Sequence, residues 1–122
     1  MLDLVEDFTV FNGRNGVELI DNLRAGCAGT IPGVECFDLQ GEIYNSWRSG
    51  DHSAATTQFR HAVPLLSYLM LTIDHLLCYG KRLAAQRLGI AQVHDRQPAM
   101  AARAVDLDTL EFWSRHLEPL PE

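Results

Sequence analysis

Two short β-favouring runs open the chain, separated by one helical stripe, and four more helical stripes follow them. Phe8-Thr9-Val10-Phe11 is the first run. Its aromatic and β-branched side chains, closed by the turn formers Asn12-Gly13-Arg14-Asn15-Gly16, predict a short buried strand. Asn15 then stands where an N-cap belongs, with Glu18 three residues on as its capping-box partner, and Val17, Ile20 and Leu23 form a stripe that stops before Gly26. Cys27-Ala28-Gly29-Thr30-Ile31 is the second run, stopped at Pro32-Gly33. Two strands joined by one helix make a βαβ unit, which forces them to be parallel. Parallel strands need both faces covered, and an isolated pair of them is not a stable object. The pattern therefore asks for neighbours.

Beyond Pro32 the period is helical. Asp38 is placed to cap a helix with Leu39, Ile43 and Trp47 on one face, ended by Ser49-Gly50. Asp51 is placed to cap the next, where Ala55, Phe59, Val63, Leu66 and Met70 keep a buried spacing and Pro64 is expected to kink the axis. A third helix starts near Thr72, carries Ile73, Leu76, Leu77, Leu83, Ala84 and Leu88 inward, and stops at Gly89. Residues 92–105 are of mixed polarity around Pro98 and read as an ordered loop. Asp106 is expected to cap a last helix with Leu107, Leu110, Trp113 and Leu117 inward, before Pro119 and Pro121. No repeat or linker divides the chain.

Composition agrees with one compact unit: 122 residues, 47% of them apolar and 21% charged. That length is far below the roughly 250 residues of a complete (β/α)8 barrel. Ten basic against 16 acidic residues give a net charge of −6, a poor surface for nucleic acid. No apolar stretch is long enough to span a membrane, and Met1 to Asp7 is acidic where a leader peptide would be basic. The reading is a cytoplasmic protein without membrane partners. Cys27, Cys36 and Cys78 are an odd number at no recurring spacing and read as reduced packing thiols.

Candidate chemistry is sparse. His75 and Cys78 lie one helical turn apart, yet two ligands do not make a metal site, and Cys78 adjoins the Leu76-Leu77 stripe, so the pair reads as core. Ser46, Ser49, Ser53, Ser67 and Ser114 fall in helices or at helix ends, away from any strand-to-helix elbow. Lys81, the only lysine in the chain, sits inside a helix beside Arg82 and reads as an ion-paired surface residue rather than an amine nucleophile. The strand-end turns remain. Ligands of parallel α/β folds bind outside the carboxyl ends of strands, here Asn12-Gly13-Arg14-Asn15-Gly16 and Pro32-Gly33. The glycines admit a ligand to the backbone, the following helix start offers N–H groups, and Arg14 adds a positive charge. Gly13 and Gly16 serve a plain tight turn equally well.

The order of these residues resembles a known family. Val10-Phe11-Asn12-Gly13, a helix, and then Arg24-Ala25-Gly26-Cys27-Ala28-Gly29-Thr30-Ile31-Pro32-Gly33 is similar to the seventh and eighth strands of the dihydrodipicolinate synthase / N-acetylneuraminate lyase family. Gly50-Asp51 before a long helix, Pro64-Leu65-Leu66, the segment from Gly80-Lys81-Arg82 to Gly89-Ile90, and Asp95-Arg96-Gln97-Pro98 follow in the order of that family's helical tail. The resemblance runs from about Phe8 to Leu117.

The resemblance implies an α/β chain, mostly helical by residue count. Residues 1–50 would be the last two units of a (β/α)8 barrel and residues 51–122 a helical C-terminal extension, together one segment. It implies carbon–carbon lyase or aldolase chemistry on small 2-oxo acids through a lysine Schiff base, with no metal or cofactor. It also implies a homo-oligomer, or association with a chain that supplies the rest of the barrel. The Schiff-base lysine belongs to the sixth strand, which would lie upstream of Met1, and Lys81 matches a lysine of the tail. No catalytic residue is therefore carried over. Gly13 matches the glycine whose backbone touches the ligand and Ile31 the residue at the pocket wall, while Asn15 and Gly16 replace the acidic pair that grips sugar hydroxyls in the sialic-acid lyases. That departure argues against a neuraminate-like substrate. The alternatives are a catalytically silent helical oligomerisation domain and a small anion-binding protein.

Overall fold

A computed structural model describes residues 8–120; the acidic start Met1–Asp7 and the last two residues, Pro121 and Glu122, lie outside the described residues. Most of the described chain is helical, beside one two-stranded sheet. Strand β1 (Phe11–Asn12) leads through helix α1 (Leu19–Arg24) to β2 (Gly29–Thr30), and the strands pair in parallel with Phe11 opposite Gly29 and Asn12 opposite Thr30. Helices α2 (Phe37–Arg48), α3 (His52–Leu69), α4 (Ile73–Arg87) and α5 (Ala104–Ser114) follow. The expected mixed α/β chain with a parallel pair is thus present, and no barrel is formed by these residues.

The core lies between α1, α2, α3 and α4. Leu19, Ile43, Leu65, Leu66, Leu69, Tyr79 and Leu83 are essentially inaccessible to solvent there, and Leu110 closes it from α5. Asp51 caps α3 as expected, its carboxylate accepting from Ala54 N at 2.9 Å, and α3 continues through Pro64 to Leu69. Helices α3 and α4 meet at 100°. Among the described residues no single helix is long and apolar enough to cross a membrane.

Several sequence expectations are corrected. Phe8 and Phe11 are 74% and 55% exposed rather than buried, because no further layer covers this face of the sheet. Both strands are shorter than their apolar runs, since each has a single neighbour to pair with. Asn15 does not cap α1. It adopts a left-handed backbone (φ 51°), and Glu18, outside the helix, pairs with Arg14 instead. Asp38 lies inside the first turn of α2 and serves as the partner of Arg87.

Helix α4 contains a π turn, Leu76–Gly80. One extra residue in that turn breaks the 3.6-residue phase. Leu83 and Ala84 are buried as expected, whereas Ile73, Leu77 and Leu88 are exposed. The loop after α4 ends two residues early: α5 begins at Ala104, and Asp106 sits in its first turn with Tyr79 Oη donating to its carboxylate at 2.9 Å. Leu107 and Trp113 are more than a third exposed.

Candidate functional site at the strand ends

The chain leaves β1 through three consecutive left-handed residues, Arg14 (φ 57°), Asn15 (φ 51°) and Gly16 (φ 73°). Each non-glycine residue in this region costs about 1–2 kcal/mol, with Asn the most tolerant because its short amide can bond locally. Such strain persists where surrounding structure over-determines it. Here the determinant is the Asn15 side chain, 5% exposed. Its Oδ1 accepts from Gly33 N at 2.6 Å, its Nδ2 donates to Glu35 Oε1 at 2.6 Å, and Gln40 Nε2 donates to its carbonyl at 2.9 Å. The turn after β1 is thereby tied to the turn after β2 and to the first turn of α2.

This cluster is tightly enclosed. A Cβ on Gly16 would stand 2.2 Å from Gln40 Oε1, and one on Gly33 would stand 2.3 Å from Glu35 Oε2. At Gly16 the backbone angle favours glycine, whereas at Gly33 an added Cβ would require the Glu35 carboxylate to move. Glu35 is itself held from behind: its carbonyl accepts from Arg87 Nη1 at 2.7 Å. The Arg87 guanidinium is 5% exposed, pairs with both oxygens of Asp38 at 2.8 and 2.5 Å, and donates to the Glu118 carbonyl at 2.8 Å. Arg87 holds the Asp38 carboxyl below the usual carboxylate range, chiefly by hydrogen bonding. Burial pushes the neighbouring Cys36 thiol up to about 12, so it is an inert packing group.

The five residues singled out from the sequence are distributed around this cluster. Asn12 ends β1, with its carbonyl accepting from Ile31 N and Thr30 Oγ1, while its Oδ1 is buried without a partner among the described residues. Gly13 is exposed and has open space where a Cβ would be. Arg14 is exposed and paired to Glu18, and Ile31 is 65% exposed. Asn15 alone of the five is buried. A cavity of about 370 Å³ opens beside them, lined by Phe11, Gly29, Thr30, Phe37, Gln40 and Tyr44 among others. None of the five lines it, and it holds no carboxylate, amine or thiol.

Glu35 and Gln40 were not singled out from the sequence. Gln40 stands on the same helical face as Ile43 and Trp47, a polar residue at a core position, and Glu35 is a lone charge between Val34 and Cys36. Those are the signals that mark them. Lys81 lies on α4, away from both strand ends, its ammonium donating to the His94 carbonyl at 3.0 Å and Asp95 Oδ1 at 3.1 Å. His75 and Cys78 are both buried, and among the described residues no group of three or more His, Cys, Asp or Glu side chains is placed to hold a metal ion. The strand-end turns are thus strained and partly open to solvent, and the carboxylate in the cluster, Glu35, is buried and engaged by Asn15 Nδ2. No family model and no curated protein matches this chain.

Proposed function

We propose that this chain is the C-terminal part of a (β/α)8 Schiff-base lyase similar to the dihydrodipicolinate synthase / N-acetylneuraminate lyase family. In this reading it contributes the last two strands and the helical extension to a barrel whose first six strands and reactive lysine lie outside these 122 residues. The observation that carries the reading is the parallel β1–α1–β2 unit, which has both outer edges open yet holds its carboxyl-end turns in a buried, strained lock. A two-stranded parallel sheet has little stability of its own. Exposed Phe8, Phe11 and Ile31, with the adjoining cavity, supply the apolar surface that further strands would cover. The substrate is a small 2-oxo acid, met at Asn12, Gly13, Arg14, Asn15 and Ile31. Three free thiols fit a cytoplasmic setting.

The test is complementation. The purified chain is mixed with a polypeptide carrying the first six β/α units of a lyase of this family, and amide hydrogen exchange is followed along the whole chain. Expected is a one-to-one complex in which the outer-edge amides of β1 and β2 gain protection while α3 and α4 are unchanged. Failure to form a complex, or protection confined to the helices, would refute the reading.

A further inference from the structure

A cavity of about 330 Å³ lies between α4 and the loop that follows it, away from the strand-end turns, and the proposed lyase chemistry does not use it. Asp74, Leu77 and Lys81 of α4 form one wall, and Arg96, Pro98 and Met100 of the loop form the other. Leu77 and Met100 are 58% and 38% exposed, so the middle of the cleft is apolar.

Its two ends carry opposite charge. At one end the Asp95 carboxylate is already claimed: Arg82 donates to both of its oxygens, at 3.2 and 2.6 Å, and Lys81 Nζ donates to Oδ1 at 3.1 Å. Lys81 gives a second N–H to the His94 carbonyl at 3.0 Å, which leaves one of its donors unused. Arg96, next in the chain, adds an exposed guanidinium with no ion-pair partner among the described residues. This end is therefore in positive excess. Asp74 stands at the other end, about 10 Å away from Lys81 along the helix axis. It too is exposed and has no ion-pair partner among the described residues. Between Asp74 and Lys81 lies the π turn Leu76–Gly80, whose extra residue turns Leu77 out of the core and into the cleft. Single π turns of this kind recur at functional sites.

We infer that this cleft binds a small zwitterion of the dipeptide type, with its ammonium on Asp74, its carboxylate on Lys81 and Arg96, and its apolar side chains on Leu77 and Met100. A dipeptide spans about 7 Å from end to end, and a charge-assisted hydrogen bond of about 2.8 Å at each end lets it bridge the two charges. An apolar α-amino acid carries both charges on one carbon and reaches one end only. A fatty acid or an alkylamine leaves one end unmatched. The inference does not rest on the lyase reading, since none of these residues belongs to β1, β2 or their turns.

The test follows the amide chemical shifts of the full chain by NMR while alanyl-leucine is added. Saturable shifts are expected along residues 74–81 and 94–100, with a Kd of about 1 mM. N-acetyl-alanyl-leucine, which lacks the ammonium, and alanyl-leucinamide, which lacks the carboxylate, are each expected to bind about tenfold more weakly, as is free leucine. Asp74→Asn should abolish the preference for alanyl-leucine over its acetylated form, and Arg96→Gln should reduce the preference over the amide. Both residues are exposed, and circular dichroism confirms that the variants are folded. The inference is overturned if alanyl-leucine gives no saturable shifts, or if the shifts are confined to the strand-end turns. Equal affinity for the blocked forms, or discrimination that Asp74→Asn leaves intact, overturns it as well.

Discussion

Replacing Asn15 by alanine probes the lock at the strand ends. The substitution removes the acceptor for Gly33 N–H and the donor to Glu35, a carboxylate 4% exposed. A buried polar group left without its partner costs about 1–3 kcal/mol. Alanine must also occupy the left-handed backbone of Asn15 (φ 51°), at about 1 kcal/mol more than asparagine. The sum, about 3 kcal/mol, is a large part of a stability of roughly 5–15 kcal/mol. It lowers the urea midpoint by about 2 M, readable from the fluorescence of Trp47 on α2. Asn15→Gly separates the two causes, because glycine accepts the backbone but restores neither bond; its loss is expected to be about 1 kcal/mol smaller than that of alanine. Asn15→Ala within about 1 kcal/mol of wild type would refute the reasoning, as would a glycine variant no more stable than the alanine one.

Arg87→Met is expected to destabilise by about 3 kcal/mol, the low end for breaking a buried pair because Asp38 is a quarter exposed; a denaturation cycle with Asp38→Asn checks the coupling. The same pair sets an acid dependence: the Asp38 carboxyl is lowered from 3.8 in the fold, so its stabilisation is full above that value and fades as pH falls through the lowered one. His75 is 7% exposed between Tyr68 and Tyr79, and burial lowers its pKa from 6.5 against the smaller opposing effect of Asp106, with Arg103 adding to the lowering. The unfolded chain therefore takes up this proton first, and stability falls as pH drops below 6.5. His75→Phe is expected to flatten that slope in thermal melts at graded pH, and an unchanged slope would contradict the assignment. Asp95 holds the loop to α4 through Arg82 and Lys81, whose hydrogen bonds, that of Arg82 foremost, bring its carboxyl down to about 2. Asp95→Asn should speed protease cleavage within residues 91–103, whereas the wild-type latch persists as pH falls past 3.8 and opens only near 2.

The sequence made the helices legible where a single period ran undisturbed, as in α3 with its Asp51 cap, and it placed the parallel pair through turn chemistry on either side of α1. It misplaced features wherever a side chain had a distant claim on it. Asn15 was read as a cap for its own helix, and its partners Gly33, Glu35 and Gln40 are 18–25 residues away. Asp38 and Asp106 were read as caps in the same way, and are instead bound by Arg87 and Tyr79 from α4. A local rule weighs neighbours within one turn and has no term for an arginine 49 residues on. The exposure of Leu77 was hidden for a different reason, the extra residue of the π turn. At the site, the turn itself could be located, but not the carboxylate beneath it.

On the proposed reading the labour is divided: these residues bring the strand ends, and the amine that forms the Schiff base lies on a strand outside them and not at Lys81. Treatment with pyruvate and borohydride, followed by intact mass and peptide mapping, tests that division directly. This chain is expected to keep its mass both alone and when mixed with the six-unit polypeptide, while the lysine of that polypeptide is labelled in the mixture. A reduced adduct on Lys81 would contradict it.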